Sequence, residues 1–438
     1  MRFSLAVALV CLGACAQTPN LALINSEEFG KKPDLAEPEV SMLPTAKIAR
    51  AVGFQAGEAP RPAAGWSVNR FAEGLAHPRW LLELPNGDIL VAETDTPRDS
   101  GGFSGGLKGL AAKLMMRYGG SNRGSADRIR LLRDTDHDGV ADLNVHLVEN
   151  LYSPFGMAYR DGYLYVANTD ALLRFKYPLG EDSIAGPAEH LTDLPALPYN
   201  HHWTKSLLFD STGRRLWIGV GSNSNIAENG MEHEEMRAAI LQYDIESGEL
   251  SVYASGLRNP VGMALHPETG GLWTVVNERD ELGDQLVPDY LTEVIEDEFY
   301  GWPVWYMGGN KDERVLALGI DNNTRPREPD YALGAHTASL GLDFYDYPHP
   351  SLRHAAIIGQ RGSWNRSQFA GYKVIAVQFD AGRPKDALPI TLLDGFLNEK
   401  GQARGRPVGV QVRGDGAILV ADDVAGIVWR LAPVIPTQ

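Results

Sequence analysis

Two imidazoles and a lysine stand together in "HHWTKSLLF", as His201, His202 and Lys205, at the start of an apolar run. A histidine accepts a proton near neutral pH, so one placed at the mouth of a strand can serve as a general base. The same residue can also be loop packing. In "GLRNPVGMA" (256–264), Arg258 and Asn259 precede another apolar run. A guanidinium offers a fixed fork of donors and a permanent charge, suited to a carboxylate or a developing oxyanion. The bland alternative is a hydrogen-bonded turn. In "QARGRPVG" (402–409), Arg404 and Arg406 are two residues apart. In an extended segment they share one face, and two guanidiniums on one face call for a polyanionic ligand.

Two acidic stretches could hold a cation. "NERDELGD" (277–284) carries Glu278, Asp280, Glu281 and Asp284. Side-chain or main-chain oxygens of such a loop suit calcium, although a solvated acidic loop reads the same way. "DTDHDGVAD" (134–142) sets Asp134, Asp136 and Asp138 before Gly139, the first half of a calcium loop, but Val145 stands where the closing glutamate belongs. The alternative is a hairpin closed by Asx turns. No P-loop, no GxGxxG after a strand and no CxxC pair is present, so nucleotide-dependent and thiol chemistry lack support.

The elements that must position these groups come from a repeat. A glycine-bearing turn followed by a β-branched, apolar strand recurs as "LPNGDILVAETD" (84–95), "RDGYLYVANTD" (160–170), "STGRRLWIGVGSNSN" (211–225), "PETGGLWTVVNERD" (267–280), the weaker "HAAIIGQRGSWNR" (354–366) and "RGDGAILVADD" (413–423). Such turns before apolar strands signal hairpins. Repeats of several strands each predict an all-β, six-bladed propeller, with a sandwich plus an extra domain as the alternative. Its loops gather around one axis, so residues distant in sequence can meet at one mouth. One insertion, "LKGLAAKLMMRYGG" (107–120), reads as a short amphipathic helix.

Of 438 residues, 44% are hydrophobic, a normal globular share, and the formal charge is −16. That acidity argues against nucleic acid or an anionic membrane surface as partner. Residues 1–15 read as a signal peptide. Its "LGAC" resembles a bacterial lipoprotein signal, and the alternative is an ordinary cleaved leader. Cys11 and Cys15 are the only cysteines, so the exported chain has no disulfide. These features predict a periplasmic protein, with membrane attachment only through a lipid on Cys15. Residues 16–65, rich in Ala, Pro and Glu, read as a tether, and 66–438 as the propeller.

The motifs "HHWTKSLLF", "GLRNPVGMA", "FYGWP" (299–303), "GSWNRSQFAGYKV" and "RGRPVGV" together resemble the soluble sugar dehydrogenases that depend on pyrroloquinoline quinone (PQQ). The resemblance runs from about Gly65 to the C-terminus. "SADRIRLLRDTDHDGVAD" and "GAHTASLGLDFYD" look more like the L-sorbosone dehydrogenase branch than the glucose dehydrogenase branch. It implies a six-bladed propeller, PQQ and Ca²⁺ as cofactors, an aldose or sugar aldehyde as substrate, and a quinone or cytochrome as electron acceptor. His202 falls on the family's catalytic base, and His201 falls where an aspartate is common. Arg258 and Asn259 match a cofactor-contacting pair, with Arg258 also stabilising the oxygen that becomes negative. Arg404 and Arg406 match the arginines that hold the PQQ carboxylates. A cofactor lysine of the family falls near Trp364, pointing to Asn365 or Arg366. Two metal-binding carbonyls of the family fall at Arg279 and Asp280. The competing readings are a metal-dependent lactonase and a non-catalytic binding propeller, since this fold hosts many functions.

Overall fold

The structure is a computed structural model that describes residues 26–40, 45–97, 114–121 and 124–434. Cys15 and the leader lie outside the described residues, as do positions 107–113 of the expected helix; residues 114–118 are helical.

Six antiparallel sheets of four or five strands form a propeller. Their innermost strands are Pro78–Glu83, Met157–Arg160, Lys205–Phe209, Pro260–Leu265, Ser339–Phe344 and Pro407–Val412. Each packs against the next around a closed ring. All six copies of the sequence repeat become the second strand of a blade: Ile89–Glu93, Tyr163–Ala167, Arg215–Val220, Leu272–Val276, Ala356–Gln360 and Ile418–Asp422. That strand lies between two neighbouring blades and is covered on both faces. Four of the six are buried at every position, which is why they read as unbroken apolar runs. The repeat turns join first to second strands at one end of the ring. Each second strand therefore runs toward the opposite end and delivers its following polar residues there.

Ring closure joins the two ends of the domain. Trp66–Glu73 is the outermost strand of the sixth blade and pairs with Ile427–Pro433, from Trp66 opposite Pro433 to Glu73 opposite Ile427. Because its edge strands meet no other copy of themselves, such a ring leaves little open sheet edge.

The expected tether is corrected here. Phe29–Gly30 adds a fifth strand to the fourth blade beside Tyr331–Ala335, and Arg61–Pro62 adds one to the fifth beside Ile390–Asp394. Ala49 and Glu28 are buried. The segment has no hydrophobic period because it is a strap: apart from short local turns, its hydrogen-bond partners come from the rest of the propeller.

Candidate active site at the propeller mouth

His202 sits three residues ahead of the innermost strand of the third blade. Its loop is fixed from below by Thr169 Oγ1, which donates to the Trp203 carbonyl at 3.0 Å, and by Asn200 Nδ2, which donates to Thr169 Oγ1 at 2.8 Å. His202 Nδ1 lies 2.9 Å from the Ser222 carbonyl and 3.0 Å from Ser222 Oγ. Ser222 Oγ spends its proton on the Ser224 carbonyl at 2.6 Å. Both neighbours of Nδ1 are therefore acceptors, so Nδ1 carries the proton. The lone pair is left on Nε2. Burial, the Arg258 charge and His201 push the His202 pKa well below the usual histidine value. The ring is thus a neutral imidazole with one basic nitrogen to offer. Gly221 makes the placement possible: a Cβ there would come within 2.4 Å of His202 Cβ and 2.3 Å of Asn259 Oδ1.

His202 lines a cavity of about 220 Å³ at the mouth, which Arg258, Asn259, Asp280 and Arg406 also line. Four stretches far apart in sequence thereby meet. Arg258 is buried and tightly held. Its Nε donates to the Asn225 carbonyl, Nη1 to the carbonyls of Asn277 and Glu278, and Nη2 to Asn225 Oδ1 and Asp280 Oδ2. All five N–H groups have protein acceptors, so Arg258 contributes positive field and holds two loops together. Asn259 Oδ1 is buried without a partner. Burial opposes ionisation of Asp280, but the His336 hydrogen bond and the Arg258 charge hold its pKa below the usual range.

The sequence reading missed the opposite wall. Arg79 and Arg361 reach the same cavity as Arg406 and share one carboxylate, Asp423, at 3.1 and 2.6 Å from Arg79 and Arg361. Burial disfavours ionised Asp423, yet Arg361, His77 and Arg79 hold its pKa well below the carboxylate range. Burial and the Arg361 charge lower the Arg79 pKa to about 10, still charged at neutral pH. Arg406 lies over the Tyr372 ring at 4.8 Å, and its Nη1 makes long hydrogen bonds, 3.5 and 3.4 Å, to the carbonyls of Arg361 and Gly362. The Nε atoms of Arg79 and Arg406 are buried without partners. Three guanidiniums, set against Asp423 and the neighbouring buried Asp95, make this wall of the cavity cationic. A signal for Arg361 and Asp423 existed, since both immediately or closely follow a repeat strand. His336 precedes its innermost strand by three residues, as His202 does.

Several expected site residues lie elsewhere. Arg404 points away from the mouth and approaches Glu58 at 4.0 Å. The shared face failed because the chain curls here: the amides of Arg404 and Gly405 both bond the Phe396 carbonyl. Gly405 packs so closely on Asp422 that a Cβ would lie 2.0 Å from its carboxylate. Arg366 forms a buried ion pair with Glu28 of the strap at 2.9 Å. Asn365 joins loops, donating to the Thr45 carbonyl at 2.7 Å and accepting from the Glu281 amide at 3.0 Å. Replacing Arg366 by alanine removes the charged partner of buried Glu28, which keeps the Ala335 amide as a donor. We expect a loss of about 3–5 kcal/mol of stability in denaturant titration, with ligand binding at the mouth unchanged.

The loop that carries the expected calcium-binding carbonyls at Arg279 and Asp280 is crowded by guanidiniums. The Arg279 side chain is buried outside the cavity, paired with Glu278 at 3.1 Å and Asp312 at 3.4 Å. Arg314 Nη1 already donates to the carbonyls of Asp280 at 3.0 Å and Glu281 at 3.2 Å. A guanidinium on these oxygens repels a divalent ion. The carboxylates of Asp134, Asp136 and Asp138 do converge, with ligand atoms within 4.8 Å of one another. Their loop joins the outer strands Arg128–Arg133 and Leu143–Val148, at the end of the ring opposite the mouth.

Comparison with known proteins places these features in context. The TrAA12-like family model matches residues 129–297 and 321–433. An uncharacterized protein of Borreliella burgdorferi is 29% identical over 297 residues, 65% of this chain and 77% of that one. Among solved structures, the family AA12 enzyme of Trichoderma reesei superposes with a TM-score of 0.68 at 19% identity, covering 88% of this chain and 99% of that chain. The holo PQQ domain of pyranose dehydrogenase from Coprinopsis cinerea gives 0.67 at 18% identity, covering 88% and 100%. The PQQ-bound aldose sugar dehydrogenase of Streptomyces coelicolor gives 0.56 at 15%, covering 85% and 99%. At these identities the structural likeness establishes the shared fold.

Proposed function

Because the chain belongs to the TrAA12-like family, we propose that it is a PQQ-dependent oxidoreductase that oxidises an aldose or sugar aldehyde at its C1 hydroxyl or hydrated aldehyde. The observation that carries this reading is one cavity with two unlike walls. On one side stand Arg79, Arg361 and Arg406, with unpartnered Nε atoms on Arg79 and Arg406. On the other stands His202 with its basic Nε2.

PQQ bears three carboxylates, and this donor set suits it. Arg406, Arg361 and Arg79 are the residues that would hold them, and Asn259 supplies an unpartnered oxygen nearby. When bound, the quinone supplies the two-electron, hydride-accepting chemistry that no side chain here can supply. The chain's own task is proton removal and orientation. His202 Nε2 takes the proton of the sugar hydroxyl, while Ser222 holds the ring through Nδ1 and stabilises the imidazolium that forms. Arg258, pinned by five acceptors, adds a fixed positive potential where negative charge develops on oxygen. In the 277–281 loop the carbonyls of Asn277, Glu278, Asp280 and Glu281 already accept from Arg258 or Arg314, which leaves the Arg279 carbonyl and the Asp280 carboxylate as the oxygens that would hold calcium there. A quinone or cytochrome is the proposed electron acceptor, and the periplasm the proposed location.

A metal-dependent lactonase fits less well. It needs carboxylates converging on one ion at the mouth. Among the described residues the one such cluster is Asp134, Asp136 and Asp138, at the far end.

The deciding experiment titrates purified protein with PQQ, then supplies an aldose panel with an artificial dye acceptor. Stoichiometric binding with dye reduction is expected. No binding would overturn the proposal. A second expectation concerns pH. The base form of His202 persists below the usual histidine range because its pKa is lowered. The acidic limb of kcat/KM should therefore fall at a pH below about 6.5, the ordinary histidine value. A midpoint at or above that value would remove His202 as the base.

A further inference from the structure

The strap crosses the mouth rather than only its rim. Five hydrogen bonds pin it to three separate loops. On the fifth blade, the Lys47 amide donates to the Trp364 carbonyl at 2.9 Å, and Asn365 Nδ2 donates to the Thr45 carbonyl at 2.7 Å. Ahead of the sixth blade, the Ala403 amide donates to the Arg50 carbonyl and the Val52 amide to the Ala403 carbonyl, both at 2.8 Å. On the insertion of the first blade, the Ala51 amide donates to the Tyr118 carbonyl at 3.0 Å.

That insertion rests in turn on the cationic wall. Ser121 Oγ accepts from Arg361 Nη2 at 2.5 Å. Gly119 is wedged between strap and wall: a Cβ there would stand 2.6 Å from Ile48 Cγ2 and 3.6 Å from Arg406 Nη2. Ile48, Met116 and Gly119 line the same cavity as the three arginines. These apolar groups stand between the guanidiniums and solvent. Yet the strap has little of its own to anchor it. Ala49 is its buried apolar residue between 45 and 52, and its other ties are hydrogen bonds, the Lys47 ammonium over the Phe369 ring and half-buried Ile48. Segments so held open locally at far lower cost than the blades beneath them.

Building on the function proposed above, we infer that residues 45–52 and 114–121 form a cover over the anion-holding side of the mouth. Ile48 is its inward residue, and a planar polycarboxylate enters and leaves only when the cover lifts. The cover therefore sets how fast the ligand exchanges, while the arginines set how tightly it binds.

The test has two arms. The first needs no cofactor. Leu340 lines the cavity and is 7% exposed. A full-length chain carrying Leu340→Cys with Cys11→Ser and Cys15→Ser is labelled with a maleimide. Adding Gly119→Ala, whose methyl pushes on Ile48, should speed labelling at least about tenfold. Ile48→Ala, which trims the cover without a clash, should do the same, and it serves should the wedge prevent folding. Equal labelling rates in all three backgrounds would overturn the cover. The second arm follows PQQ association and dissociation by stopped flow. A gate raises both rates together by about tenfold and leaves Kd within about threefold. Faster dissociation alone would make Ile48 an ordinary contact and overturn the gate. Failure of the unaltered protein to bind PQQ would refute the proposed function, while the labelling arm still decides the cover.

Discussion

His202→Ala is expected to lower kcat by about 10²–10⁴-fold, the usual contribution of a positioned general base, while PQQ affinity stays within about threefold. The reason lies in what each nitrogen does. Nδ1 is committed to Ser222, so removal of the ring deletes the Nε2 lone pair and little else on the cavity wall. The guanidiniums that would hold the cofactor belong to other blades. His201 is the internal comparison. It is adjacent in sequence, but it is exposed and absent from the cavity lining. His201→Ala should change kcat far less. Dye-linked turnover together with a PQQ binding isotherm checks both variants. Full turnover in His202→Ala would sink the base assignment.

The second large effect separates two arginines that look alike in sequence. Arg406→Ala should weaken PQQ binding by about 10- to 100-fold, the range for losing hydrogen bonds to a charged group. Arg404→Ala should leave it unchanged. Arg406 is buried in the cavity wall over Tyr372, whereas Arg404 lies outside near Glu58. Fluorescence or calorimetric titration at fixed ionic strength reads the difference. Arg361→Ala should fall with Arg406→Ala in affinity, but it also releases Asp423. A stability measurement must accompany it, since that buried carboxylate then loses its shortest ion pair and keeps Arg79 and His77. Equal effects of the 404 and 406 substitutions would contradict the curled path of the chain between them.

Much of the architecture was legible from local patterns. A strand covered on both faces must be apolar throughout, and a hairpin must turn on residues such as glycine. Six such strands therefore announced six blades before any contact was known. His202, Arg258, Asn259 and Arg406 were legible for a related reason. Each stands beside an innermost strand, and a ring brings those positions to one mouth. The N-terminal strap was not legible. An extended segment that borrows its hydrogen bonds carries no period of its own, so it reads like a tether.

The sequence by itself determined the fold class, the number of blades and the residue types available at the mouth. Burial on two faces and turn chemistry are local demands that leave a mark in every copy of the repeat. Only the tertiary structure decided which charges meet. Arg79 and Arg361 come from two blades to share Asp423, and Arg406 joins them at the cavity from a third, while Arg366, Arg279 and Arg404 are drawn off to Glu28, to Glu278 and Asp312, and toward Glu58. For Arg79, Arg366 and Arg404 the partner lies hundreds of residues away in sequence. Coulomb attraction acts through space, and spacing along the chain does not encode it.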